Sequence, residues 1–495
     1  MLRSKLSTLL AASSASALLA ACAVGPDAPV PTLPLQGTGA FVGSADPAVA
    51  SAFPARDDWW RLYADPTLDG LVAQAFAENN QLESAAANLR AVRASLSEAR
   101  SARLPSTNTS ASVQRSRGSA ATSIGLPPGE DAPEITSYDV GLDASYEIDL
   151  FGRVGSAIRA ARADADAAAE ALAGLQVTVA AETARAYADT CSANAQIAVA
   201  ERSVEIQNET LRLTETLLNA GAGTGLDVAS ARAAVAQTAA TLPTLRAARS
   251  EALFRLSTLT GTTPAEASQA AAACGRPPQL TQPIPLGDGA ALRARRPDVR
   301  QAERNVAAAA ARVNVATASL YPTISLGGSI GSTALDAGDL GEDRNFRFGF
   351  GPLISWSFPN IVAARARIEA ADARTQAALA DFDQTVLEAL QETETALSNY
   401  ANELDRRTAL TEARDQANRA LELSRLRFTA GAESFLTVLD AQRTLVQAEA
   451  QLAQSDALVT TYQVALFKAL AGGWTAPQVP VGEPAAVVAE VEQHL

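Results

Sequence analysis

Few residues in this chain could do chemistry, and their types narrow what that chemistry would be. The sole histidine among 495 residues is His494, and the sole methionine is Met1. A serine–histidine–acid triad, a histidine-bound zinc or a histidine-ligated haem therefore finds no histidine in the body of the chain. Three cysteines remain, Cys22, Cys191 and Cys274. In an oxidising compartment Cys191 and Cys274 could pair; otherwise they are two buried thiols. Gly221-Ala222-Gly223 has the glycines of a phosphate loop, but it follows a helix-forming stretch and no lysine stands in the Walker position. No carboxylate pair has the supporting residues of an acid–base site. No catalytic residue, cofactor or metal is expected, and the chain does not read as an enzyme.

Cys22 carries the one clear chemical signal. Arg3 and Lys5 open the chain, Leu6 to Leu19 is mostly small and apolar, and Leu19-Ala20-Ala21-Cys22 closes the segment. This resembles the lipobox of bacterial lipoproteins. The resemblance implies removal of residues 1–21 and attachment of lipid at Cys22. Ala23 stands where such proteins carry aspartate when they stay in the inner membrane, so the implied destination is the outer membrane. The formal charge is −14, and loss of Arg3 and Lys5 takes it to about −16. That balance argues against a nucleic-acid partner and suits a channel that tolerates cations.

The elements that must position anything functional are of two kinds. No window after the signal is apolar enough for a transmembrane helix, so a membrane crossing requires a closed β-barrel. Four segments alternate with period two. They lie at about 106–116, 137–150, 322–331 and 346–358. In the second, Tyr138, Val140, Leu142, Tyr146 and Ile148 oppose Asp139, Asp143, Glu147 and Asp149. In the fourth, Phe346, Phe348, Phe350, Ile354, Trp356 and Phe358 oppose Arg347, Gly349, Ser355 and Ser357. Each run suits roughly 9–11 tilted residues across a bilayer. The strands pair as hairpins around loops Arg117–Thr136 and Ser332–Asn345.

Very long helices separate the hairpins. Residues 153–219 contain no proline, and Ile361–Thr429 contains neither glycine nor proline. At 1.5 Å per residue each would run roughly 100 Å. Leu379, Phe382, Val386, Leu390, Thr393 and Leu397 step by three and four along one packing stripe. Each long helix ends at a glycine turn, Gly221 or Gly431, and returns as Leu226–Leu259 or Phe435–Leu470. The turns are 210 residues apart. Strand, strand, long helix, turn and helix thus occur twice. The expected organisation is a signal peptide (1–21), an extended segment (22–58), a first repeat (59–261), an equatorial linker (262–296), a second repeat (297–472) and a tail (473–495).

Four strands cannot close a barrel, but three copies supply twelve. The fold class is mainly α with a β-barrel: a trimeric 12-stranded outer-membrane barrel continued by a periplasmic α-helical barrel. At this point the chain resembles the outer-membrane efflux protein family, the TolC-like channel-tunnels, and specifically the lipoprotein branch of multidrug efflux systems. The residues that carry the likeness are "GPDAPVP" after Cys22, "DDWWRLYADPTLDGLV" at Asp57, "SYEIDLFGRV" at Ser145, "RRPDVRQAE" at Arg295, "ASLYPTISLGGSIG" at Ala318 and "SFLTVLDAQRTLVQAE" at Ser434. It departs at Ser355–Ile368, where the family often has a glycine pair before the helix.

The resemblance implies a homotrimeric, passive exit duct for small molecules. Its partners would be a periplasmic adaptor (membrane fusion) protein and an inner-membrane RND-type pump. The outlet of a type I protein-secretion system is the alternative within the same fold, and a channel-free coiled-coil lipoprotein the alternative outside it. In the lipoprotein branch a leucine and an aspartate one helical turn apart constrict the periplasmic end. The matching positions are Leu436 and Asp440, against Leu226 and Ser230 in the first repeat. Three copies would give a leucine ring and a ring of three carboxylates.

Overall fold

A computed structural model describes residues 57–122, 129–280, 294–358 and 360–470, with short pieces at 25–26, 29, 39, 41–42, 50–51, 127, 283–286 and 292. The signal segment, Cys22 and the tail expected at 473–495 lie outside the described residues. The chain divides into two compact units.

The first unit, which includes Leu89–Ala168 and Ala302–Phe382, holds the sheet. Strands β1 (Ser106–Arg117), β2 (Glu134–Ile148), β3 (Thr323–Ala334) and β4 (Phe346–Ser355) form one antiparallel sheet in that order. Register joins the two halves of the chain directly, with Leu142 opposite Ile330 and Ile148 opposite Ile324. Period-two pleating then gathers all four apolar sets on one face. Ala111, Val140 and Ser332 lie in one row, and Leu142, Ile330 and Phe348 in the next. The opposite face carries Ser112, Asp139 and Thr333 in one row and Asn108, Asp143 and Ser329 in another. β1 and β4 end the sheet as open edges.

Strand boundaries differ from the sequence expectation at several ends. β1 runs on to Arg117 rather than 116, β3 runs Thr323–Ala334 rather than 322–331, and three other differences each have a non-local reason. β2 begins at Glu134, not 137, because Arg115 reaches across the hairpin to Glu134 at 2.6 Å. It ends at Ile148, not 150, because Asp149 turns away to cap the helix that follows. The Val154 and Gly155 N–H groups donate to its carboxylate at 3.0 and 2.7 Å. β4 ends at Ser355 rather than Phe358. Its partner Thr323 follows Pro322, which has no N–H to extend the ladder. The hairpin loops shorten accordingly to 118–133 and 335–345.

Helix α2 (Asn80–Ser101) leads into β1, and α3 (Arg153–Asn219) leaves β2. Leu96 of α2 packs with Val154, Ile158 and Ala165 of α3 in one apolar cluster. Helix α6 (Pro297–Ala318) leads into β3, and α7 (Ile361–Thr429) leaves β4. Arg312 of α6 bonds Asp164 of α3 at 2.6 Å.

The second unit holds Thr32–Asn88, Ala169–Gln301 and Asp383–Leu495. Its N-terminal helix α1 (Pro66–Glu78) is capped by Asp65, which accepts from the Thr67 and Leu68 N–H groups. Tyr187 of α3 donates to the other oxygen of Asp65 at 2.8 Å. Trp59 stacks on Phe467 with ring centroids 4.8 Å apart. Phe467 belongs to α8 (Phe435–Leu470), so the segment before α1 is held against the C-terminal turns of that helix.

The return helix of the first repeat is not the single Leu226–Leu259 element expected. It breaks into α4 (Gly225–Ala239) and α5 (Thr241–Leu259). Pro243 accounts for the break, since it has no N–H and its ring crowds the carbonyl of Ala239. In α8 no proline intervenes and 36 residues run unbroken. The linker after α5 is fastened at several points. A disulfide joins Cys274 to Cys191 of α3, Cα atoms 5.0 Å apart. Asn194 donates to the Ala272 and Cys274 carbonyls at 3.0 and 2.7 Å. Thr460 donates to the Pro278 carbonyl at 3.1 Å.

Candidate functional site

The two helix hairpins of the second unit share one backbone solution. Gly221 and Gly431 stand at φ +74° and +71°, the left-handed conformation that closes a helix without a Cβ penalty. In the first turn Gly221 N–H donates to Leu218 and Ala222 N–H to Leu217; in the second Gly431 donates to Phe428 and Ala432 to Arg427. Each turn thus satisfies two carbonyls that the ending helix leaves open. The entry to the return helix differs between them. Thr224 and Asp227 cap each other reciprocally at the start of α4. At the start of α8, Ser434 accepts from the Thr437 N–H at 3.4 Å, and Phe428 packs on Phe435 at 5.6 Å between ring centroids.

Leu436 and Asp440 fall in the first two turns of α8. Val438 and Leu445 bury against Ala417 and Leu421 of α7, which fixes the helix's rotation. Leu436 and Asp440 lie away from that contact, Leu436 with 52% of its surface exposed. The structure therefore places both on one outward face, a helical turn apart. Arg443, three residues on, shares that face and is exposed too. It was not singled out from sequence, although its spacing from Asp440 was legible. Neither Asp440 nor Arg443 forms an ion pair within the protomer among the described residues. The first-repeat equivalent Leu226 is likewise 67% exposed.

The sheet supplies a second surface of functional weight. Its apolar face has no cover among the described residues. Phe348, Phe350, Ile354 and Ile330 are 71%, 85%, 66% and 49% exposed. Such a face on a water-soluble protein would be a liability, and facing lipid it is at equilibrium. The polar face is not the bare acidic wall that Asp139, Asp143, Glu147 and Asp149 suggest. Arg347 reaches Asp139 at 2.9 Å, and Thr333 donates to the same carboxylate at 2.7 Å. Glu147 pairs with Arg153, and Asp149 is the helix cap described above. Neither Asp143 nor Asp149 makes an ion pair among the described residues, and Asp143 alone of the four has no capping role either. Among those residues, no helix is apolar enough to cross a membrane, and no cluster of candidate metal ligands occurs.

Comparison with known proteins agrees with this geometry. A family profile described as "Outer membrane efflux protein" matches residues 71–262 and 290–472. The pyoverdine export outer membrane protein OpmQ of Pseudomonas aeruginosa is 33% identical over 422 residues, covering 84% of this chain and 87% of that protein. The toluene efflux pump outer membrane protein TtgI of Pseudomonas putida is 30% identical over 471 residues, covering 93% and 97%. Among solved structures, the outer-membrane channel OprN superposes with a TM-score of 0.85 at 36% identity, covering 92% of this chain and all of that one.

Proposed function

Because the chain belongs to the outer membrane efflux protein family, we propose that it is the passive exit duct of a tripartite efflux system, gated at its periplasmic end. The observation that carries this reading is the four-stranded sheet, with one face apolar and exposed, the other polar, and both edges open. Three copies joined edge to edge close a 12-stranded barrel in which the apolar faces meet lipid and the polar faces line water. Lipid at Cys22 anchors each mature chain in the outer membrane, and most of the chain stands in the periplasm.

The duct carries small molecules. Relatives named for pyoverdine export and toluene efflux support that reading over protein secretion. A duct need not recognise its cargo, so selection and energy come from an inner-membrane RND-type pump. A periplasmic adaptor joins the two. The gate lies on the exposed face of α8. In a trimer, Leu436 gives an apolar ring and Asp440 a ring of three carboxylates, which draws cations.

Single-channel conductance in planar bilayers tests the gate. Asp440→Ala and Leu436→Ala each raise the resting conductance of the full-length protein. Unchanged conductance in both variants would remove these residues from the gate.

A further inference from the structure

The sheet separates two regions of opposite charge. The fifteen residues that adjoin each strand on its helix side are 91–105, 149–163, 308–322 and 356–370, and together they hold nine arginines against three carboxylates. The two loops at the other end, 118–133 and 335–345, hold one arginine against six carboxylates. A positive collar of net +6 inside a chain of net −14 is therefore a local feature and not a reflection of composition.

Most of this charge is uncommitted. Arg153 pairs with Glu147, and Arg312 with Asp164. By contrast Arg100, Arg103, Arg159, Arg162, Arg365 and Arg367 are all exposed and form no ion pair among the described residues. Arg103 and Arg365 also lie next to exposed apolar side chains at the same end of the sheet. Leu104, beside Arg103, is 66% exposed. Beyond β4 come Trp356, Phe358 and Val362, at 55%, 63% and 83%. Arg365 lies three residues after Val362, on the same face of α7. Outward along this surface the order is aliphatic strand face, aromatic ring, then guanidinium. That is the order of depth in a bilayer leaflet, from acyl chain through interface to headgroup.

We propose that this collar binds the phosphates of anionic phospholipids, such as phosphatidylglycerol, in the leaflet on the helix side of the sheet. The proposal rests on the outer-membrane reading above. Guanidinium groups suit the task because they bond phosphate oxygens in bidentate fashion and are weakly hydrated. The acidic loops at the far end repel the same headgroups, so the charge pattern also fixes which way the sheet faces.

Thermal unfolding of the full-length protein in neutral detergent, with added phosphatidylglycerol or phosphatidylcholine, tests this. Phosphatidylglycerol raises the midpoint more than phosphatidylcholine, and about 0.5 M salt removes the difference. Arg100→Gln, Arg103→Gln, Arg365→Gln and Arg367→Gln combined abolish the preference, each weakening lipid binding by about fivefold. The same four positions changed to lysine retain it, and Arg344→Gln in the far loop has no effect. An equal response of the unaltered protein to both lipids would overturn the proposal, as would a glutamine variant that kept its preference. Either result with normal bilayer conductance fails the collar alone. Absence of conductance in the unaltered protein fails the channel reading.

Discussion

Removing the Cys191–Cys274 disulfide is expected to cost stability without moving the fold. The bond spans 83 residues. In the chain-entropy account, closing a loop of that size removes about 15 cal/mol/K from the unfolded chain, or about 4.5 kcal/mol at 25 °C. An unfolding entropy of about 1 kcal/mol/K for a 495-residue chain converts this to a loss of about 4 °C in Tm. The native placement of the linker survives, because Asn194 still holds the Ala272 and Cys274 carbonyls and Arg249 still donates to Ala272. Cys191→Ala, Cys274→Ala and the double variant are compared by circular dichroism melting under non-reducing conditions. Either single change breaks the same bond, so all three midpoints fall together and the single effects do not add. Alkylation of the denatured, unreduced protein labels neither thiol, and after reduction it labels both. Two labelled thiols before reduction, or single losses that sum to the double loss, would refute the reasoning.

Two further outcomes follow from local geometry. Gly431→Ala places a Cβ on a left-handed residue with open space around it, and costs about 1–2 kcal/mol of strain. Gly261→Ala adds a collision to that strain, because its Cβ falls 2.4 Å from the Glu78 carbonyl oxygen; it costs about 3 kcal/mol or more, and equal melting losses for the two variants would contradict this. Glu449 of α8 is held above its ordinary 4.5 by burial, partly offset by Arg414 and Arg202. Its folded form binds a proton more tightly than the unfolded chain, so stability is present below the unfolded pKa and lost as pH rises through the folded one. Glu449→Gln therefore melts with the parent near pH 4 and higher than it at pH 7, and the opposite order would show that the arginines outweigh burial.

How much of this could be read from sequence depended on whether the cause was local. A run of 69 residues without glycine or proline leaves little but helix, and α7 spans Ile361–Thr429. Of its expected stripe, Phe382, Val386, Thr393 and Leu397 are buried, while Leu379 and Leu390 are only half-buried. Strand alternation was equally local, and the register assembled it into faces. Strand ends were not, because Glu134 is recruited by Arg115, Asp149 by the helix it caps, and β4 stops at Ser355, whose partner Thr323 follows Pro322. The Arg347–Asp139 pair lies 208 residues apart, and no spacing rule reaches it. The break at Ala239 was legible in Pro243, but the continuous partner helix in the second repeat masked it.

The two hairpins are most informative where duplicate positions no longer match. An offset of 210 sets Asp440 against Ser230 and Arg443 against Ala233. In the first hairpin the charges that remain are spent within the protomer. Asp227 closes the cap of Thr224, and Arg232 bonds Glu215 at 2.7 Å. In the second, Arg427 and Glu433 approach to 3.5 Å across the turn, while Asp440 and Arg443 stay exposed on α8 without an ion partner among the described residues. Opposite charges three residues apart on one helix are close enough to meet each other, yet here they do not bond. In the trimer proposed above, Asp440 of one protomer would face Arg443 of the next. Such bonds would close a ring that single substitutions at either position open to a similar degree. Asp440→Ala and Arg443→Ala should then raise conductance alike, and their combination no further. Additive increases would mean that the two residues act separately.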